Sequence, residues 1–170
     1  MFRFLHAADV HLDSPLVGLG RYESAPVEAV RGATRRAFEN LVGLAIDEEV
    51  AFVLLAGDLY DGDWKDYRTG LFFVDQMVRL REAQIPVFVV AGNHDAASQL
   101  TKNLRPPDNV HIFSTKKPET HFVEAFDVAV HGQGFATREV TADLTREYPA
   151  ADGRLFHVGP INAGLSGYPP

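Results

Sequence analysis

Pro86-Val87-Phe88-Val89-Val90-Ala91-Gly92-Asn93-His94-Asp95 joins an apolar run to residues that turn the chain and carry ligand chemistry. A short continuous apolar run reads as a β-strand buried on both faces. The asparagine amide offers a cation a hard oxygen that adds no charge. The adjacent His94 would point beside such an ion, placed to protonate a leaving oxygen. Asp95 either orients that imidazole or caps a helix that follows. Taken alone, the tetrapeptide also reads as a turn with a helix cap.

Two other stretches share this arrangement. Phe2 to Ala8 leads into Asp9-Val10-His11, and Ala51 to Ala56 leads into Gly57-Asp58-Leu59-Tyr60-Asp61. On an extended strand, residues two apart face the same way, so Asp9 and His11 are expected to grip one ion. Alone, that pair also reads as a surface aspartate and a cap-like histidine. Asp58 has two carboxylate oxygens with which to bridge two cations, and Gly57 lets the backbone turn tightly at the strand's end. By itself, Asp58 also reads as the cap of a βα turn.

Between these stretches lie helical patterns. Val27, Val30, Ala37, Phe38, Leu41, Ala45 and Ile46 recur mostly at three- and four-residue steps, giving one apolar face up to about Glu49. Leu71, Val74, Met77, Val78 and Leu80 do the same before Pro86. Alternating strands and helices predict a parallel sheet with right-handed crossovers. All three polar clusters then fall at carboxyl ends of strands, the edge where open α/β sheets bind ligands. Further along, a short helix is expected over Ala97 to Leu104. Strands are expected over Val110 to Phe113, Thr120 to Ala125, Phe126 to Val130 and Leu155 to Ile161. Gly132-Gln133-Gly134 reads as a turn.

Asp-x-His, Gly-Asp-x-x-Asp and Gly-Asn-His-Asp in this order resemble the calcineurin-like metallophosphoesterase family. The resemblance implies an α/β sandwich of two mixed sheets flanked by helices, and hydrolysis of phosphate esters with two divalent ions. Those ions are expected to be manganese, with iron or zinc as alternatives. In two-metal hydrolysis, ions about 3.5–4 Å apart share a water and lower its pKa toward neutrality. By the resemblance, Asp9 and His11 hold the first ion, Asp58 bridges, and Asn93 holds the second. His94 assists the leaving group, with Asp95 beside it as a catalytic residue, and Asp61 supports a ligand from behind. Phe4-Leu5-His6-Ala7-Ala8-Asp9-Val10-His11-Leu12-Asp13-Ser14-Pro15-Leu16 looks like the opening of SbcD-type DNA double-strand-break repair exonucleases, and Val130-His131-Gly132-Gln133-Gly134-Phe135 fits them more weakly. That branch implies DNA as substrate, an SbcC-type coiled-coil ATPase as partner and a homodimer.

Two departures from the family pattern stand out. Where the family has a metal-binding histidine late in the domain, Leu155-Phe156-His157-Val158-Gly159-Pro160-Ile161-Asn162 carries Asn162. His157, five residues earlier, would lie about 16 Å away and on the opposite face of a strand. The family's final Gly-His-x-His motif does not occur in the 170 residues. Residues 1–170 are thus expected to form one nuclease-type domain, incomplete on its C-terminal side and without the capping region. Partial metal occupancy and weak or absent activity are expected of this form. Two alternatives remain open at this point: a degenerate binding or assembly module, and a phosphoesterase acting on small phosphoesters.

Composition narrows the chemistry further. The chain has no cysteine, which excludes disulfides, zinc-thiolate sites and cysteine nucleophiles. No apolar run approaches the roughly 20 residues that span a bilayer, so no membrane role and a cytoplasmic location are expected. The net charge of −7 argues little against a nucleic-acid substrate, because carboxylates gathered around metal ions inflate it. Arg31/Arg35/Arg36, Lys65/Arg68, Arg79/Arg81 and Lys116/Lys117 read as solvated faces. Trp64 reads as a loop anchor or a stacking residue. His6 reads as a packed or interstrand residue, and His111, His121 and His131 have no assigned role.

Overall fold

Val53–Ala56 (β2) and Val87–Val90 (β3) are buried at every position, as continuous apolar strands covered on both faces should be. With Leu5–Ala8 (β1) and Val110–Ile112 (β4) they form a sheet in the order β1-β2-β3-β4, with every neighbouring pair parallel. The computed structural model describes residues 1–14, 32–60, 67–95, 105–137, 140, 143–151, 153–154 and 156–160. Two helices cross between the first three strands. Ala33–Asp47 (α1) connects β1 to β2, and Tyr67–Glu82 (α2) connects β2 to β3.

A second sheet is mixed. Glu119–Val123 (β5) pairs antiparallel with Val128–Gly132 (β6), which pairs parallel with Phe156–Val158 (β7). Strand periodicity divides the apolar side chains between two cores. Val53, Leu55, Val87 and Val89 pack with Phe38, Val42, Phe73, Met77 and Leu80 of the helices. Leu54, Phe88 and Val90 face the other way, with Phe52 and Phe113, onto Val123, Val128 and Val130 of the second sheet. The result is the expected two-sheet sandwich, with the described helices on the outer face of the parallel sheet.

Both helices stop in the same way. Glu49 (φ 47°) and Gln84 (φ 59°) take the left-handed conformation usually given to glycine. Just beyond them, the Val50 N–H bonds Ala45 O at 3.1 Å and the Ile85 N–H bonds Leu80 O at 2.9 Å.

Several expectations shift. The first strand begins at Leu5 rather than Phe2, and Phe2 and Phe4 instead pack against the inter-sheet core. His6 is exposed and not packed, because β1 has β2 as its partner on one side and is an edge strand among the described residues. The apolar Ala125 and Phe126, read as parts of two strands, lie in a 3-10 turn, Glu124–Phe126, that makes the β5–β6 corner with Asp127 left-handed. The expected helix over Ala97 to Leu104 falls largely outside the described residues, as do Val27, Val30 and Trp64. No helix among the described residues is long and apolar enough to cross a membrane.

Candidate metal centre

Strand register creates the site. Ala8 pairs with Ala56, and Ala56 with Val90, so three parallel strands end level with one another. Asp9, Gly57-Asp58 and Gly92-Asn93 therefore leave the sheet side by side. Two of the three loops are stitched together by backbone bonds from Asp9 N to Gly57 O (3.2 Å), His11 N to Asp58 O (2.9 Å) and Leu12 N to Leu59 O (2.9 Å).

The backbone there is strained. Asp9 (φ 52°), His11 (φ 45°), Asp13 (φ 55°) and Asp58 (φ 50°) are all left-handed. For an L-residue this costs on the order of 1–2 kcal/mol, with short polar side chains tolerating it best. Such conformations persist where the surroundings over-determine them, and they cluster at functional sites. This corrects the reason given for the convergence of Asp9 and His11. They lie beyond the last residue of β1, so alternating left-handed turns align them, and not the two-residue period of an extended strand.

One ligand-type atom from each of Asp9, His11 and Asp58 lies within 4.8 Å of the others. Asp9 is exposed, His11 partly covered and Asp58 buried, so the cluster opens to solvent from a buried base. The end of the Asn93 amide lies 3.1 Å from both Asp58 oxygens. With its nitrogen there, it donates to the carboxylate. Two carboxylates, an imidazole and a carboxamide form a donor set that fits a divalent ion.

His94 stands beside this cluster. Its backbone N–H donates to Asp58 Oδ1 at 3.0 Å, and its exposed ring meets the His11 ring edge-on at 5.4 Å. Gly92 permits the close approach. A β-carbon there would lie 2.3 Å from Asp58 Oδ1 and 2.5 Å from the Asp58 nitrogen.

Asp95 is buried, and its carboxylate serves the backbone. It accepts from Leu59 N (3.2 Å), Tyr60 N (2.9 Å) and Gly92 N (3.0 Å), locking the loop after β2 to the loop after β3. Neither sequence alternative, imidazole partner or helix cap, anticipated this arrangement. Burial raises the Asp95 pKa, opposed by these three donors and helped slightly by the Asp58 charge. Burial also pushes the neighbouring Tyr60 hydroxyl far up, with the Asp95 and Asp13 charges adding to it.

Sequence reasoning missed a second group. Arg35 is not a solvated charge: its guanidinium grips Asp13 from two sides, and Thr69 of α2 donates to the same carboxylate. The only sequence signal was Asp13 itself, continuing the alternation Asp9-x-His11-x-Asp13. Asp61 and Asn162 lie outside the described residues.

A parallel sheet whose level carboxyl ends gather acids, imidazoles and an amide presents a candidate metal centre. The chain belongs to the calcineurin-like phosphoesterase family, whose model matches residues 2–160. It is 35% identical over 167 residues to the uncharacterized metallophosphoesterase YhaO of Bacillus subtilis, a match covering 96% of this chain and 41% of that protein. It is 36% identical over 97 residues to the DNA double-strand break repair protein Mre11 of Archaeoglobus fulgidus, covering 57% of this chain and 20% of that one. The chain thus spans less than half the length of these relatives. A crystal structure of a dimetal phosphatase from Danio rerio aligns over 85% of this chain and 49% of that one, with TM-score 0.47 and 17% identity.

Proposed function

We propose that this chain is a metal-dependent phosphodiesterase of the DNA-repair exonuclease type, the SbcD-like branch of its family. The observation that carries the reading is the convergence of Asp9, His11 and Asp58, with Asn93 against Asp58, at one sheet edge. Similarity to Mre11, named for double-strand break repair, supports DNA as the substrate.

On this reading Asp9 and His11 would hold one divalent ion, Asn93 would hold a second, and Asp58 would serve both; manganese is expected, with iron or zinc as alternatives. When bound, the ions supply the acidity that ionises a water near neutral pH and the positive charge that phosphate oxygens require. His94, anchored to Asp58 through its backbone and open to solvent, hands a proton to the departing oxygen. Asp95 acts from behind by fixing the loops that carry Asp58 and Asn93. Residues 1–170 act as one nuclease-type domain, with an SbcC-type ATPase and a second copy as partners.

The test compares manganese-dependent hydrolysis of linear duplex DNA with that of a small aryl phosphodiester, using Asp58→Asn as the inactive control. DNA cleavage, slow in this chain, is the expected result. Turnover of the small ester alone overturns the DNA assignment. A second reading, a binding or assembly module without turnover, draws on Asn162 standing where the family has a histidine. Manganese binding without hydrolysis of either substrate, unrescued by Asn162→His in a chain lengthened by the remainder of a relative such as YhaO, would establish it.

A further inference from the structure

We propose that Asp13, held by Arg35 and Thr69, is a positioning residue for His11, setting the affinity of the metal centre without touching a metal. The inference rests on the metal-centre reading above.

Asp13 stands two residues beyond His11, and its oxygens face the helices. Arg35 Nε donates to Oδ1 at 2.8 Å and to Oδ2 at 2.9 Å, while Thr69 Oγ1 donates to Oδ2 at 2.6 Å. The Asp13 N–H in turn donates to Thr34 Oγ1 at 3.2 Å. Thr34 and Arg35 sit in the first turn of α1, and Thr69 in the first turn of α2, fully buried. Arg35 also lies over the Phe72 ring, 4.9 Å from its centre. One carboxylate therefore fastens the loop after β1 to both helices. The Asp13 side chain is only 13% exposed, and a two-pronged arginine–carboxylate contact fixes orientation as well as distance.

What this fastening controls is the conformation of His11. Left-handed residues at 9, 11 and 13 alternate within one short loop, and an unrestrained chain would leave them. On one side His11 is held by the Asp9 and His11 N–H bonds to the loop after β2. On the other, Leu12 is buried completely and Asp13 is clamped. Releasing Asp13 leaves Leu12 bonded to Leu59 O at 2.9 Å but loosens the end of the loop, and with it the Ser14 N–H bond to His11 O at 3.1 Å, so the imidazole turns away from Asp9 and Asp58. Because the Asp13 oxygens face Arg35 and Thr69 while the gathered ligand-type atoms are those of Asp9, His11 and Asp58, Asp13 aligns a ligand and is not one itself. Partners bonded directly to a metal ligand are typically worth about 10–100-fold in metal affinity, which sets the upper range for a support that acts through the backbone.

The test uses Asp13→Asn, which keeps shape and one acceptor but loses the charge, and Thr69→Val, which removes a single hydroxyl donor. Manganese affinity is measured by calorimetry at a temperature where thermal melts show each protein folded. In the metal-free proteins, the His11–His94 ring contact is followed by nuclear Overhauser effect. The expected result is about a 10–100-fold loss of manganese affinity in Asp13→Asn and a smaller loss in Thr69→Val, with the ring contact weakened in the same order. Unchanged affinity with a lowered melting temperature would overturn the proposal and leave a merely structural clamp. If the parent itself binds no manganese, the metal-centre reading fails separately, and the ring contact decides: its loss in Asp13→Asn supports positioning, its persistence overturns it. If Asp13→Asn does not fold, Thr69→Val decides in the same way.

Discussion

Replacing Gly92 by alanine puts one methyl group against the buried base of the site. The added carbon would lie 2.3 Å from Asp58 Oδ1, 2.5 Å from the Asp58 nitrogen and 3.0 Å from its Cγ. Bringing the oxygen contact out to 3.0 Å takes about 0.7 Å of movement, the difference from 2.3 Å. The carboxylate could swing away, but the backbone nitrogen has less freedom. Its loop is tied by Gly57 N to Val90 O at 2.8 Å and by His11 N to Asp58 O at 2.9 Å. The loops after β2 and β3 must therefore part, carrying Asp58 away from Asn93 and Asp9. Disturbing what positions metal ligands typically costs about 10–100-fold in metal affinity. Overpacking typically costs about 1–3 kcal/mol, and at roughly 2–4 °C per kcal/mol for a domain this size the melting temperature should fall by about 2–12 °C. Manganese calorimetry and thermal melts of Gly92→Ala against the parent measure both. A variant that binds manganese as tightly as the parent would refute the claim that Asp58 is held in place by the absence of a side chain at position 92.

Three other outcomes are expected. Asp58→Asn keeps an acceptor for the His94 N–H while removing a charge beside Asp9, so metal-free melting should hold or rise. It should lose the manganese-induced stabilisation, which at a 100-fold excess over Kd is about 2.7 kcal/mol in the parent. Gly132→Ala places a carbon 2.4 Å from the buried Phe113 ring and should destabilise by about 1–3 kcal/mol in urea titrations without changing manganese affinity. Burial, followed by the charge of His121 with its ring 4.8 Å away, lowers the pKa of His111. With the folded value below the unfolded value of about 6.5, its contribution is complete above the unfolded value and is lost as pH falls. The urea midpoint should therefore drop between about pH 7.5 and about pH 5.5, and drop less in His111→Phe.

The sequence revealed the parallel sheet because Val53–Ala56 and Val87–Val90 must be covered on both faces, and runs that short have few other uses. It revealed the gathering of the polar clusters for the same reason, since each follows such a run. It did not reveal how the loops turn. Gly57 (φ 77°) turns the chain after β2 as its glycine suggests, but Asp9, His11, Asp13, Asp58, Glu49 and Gln84 also go left-handed without being glycine, so no such signal marks the loop after β1 or the end of either helix. The Asp13 clamp joins residues 22 and 56 positions apart, a pairing that only the packed helices create. Arg35 looks like any helix-surface arginine until α2 is laid beside α1. Likewise, Ala125 and Phe126 carry apolar side chains into a corner that apolar periodicity assigns to strands.

On the proposed function, side chains drawn from three sheet loops share metal ions. Crystals of the chain grown with manganese, measured at the manganese absorption edge, test it most directly. Anomalous peaks are expected among Asp9, His11, Asp58 and Asn93. Saturating manganese that yields peaks only elsewhere, or none at all, would contradict it.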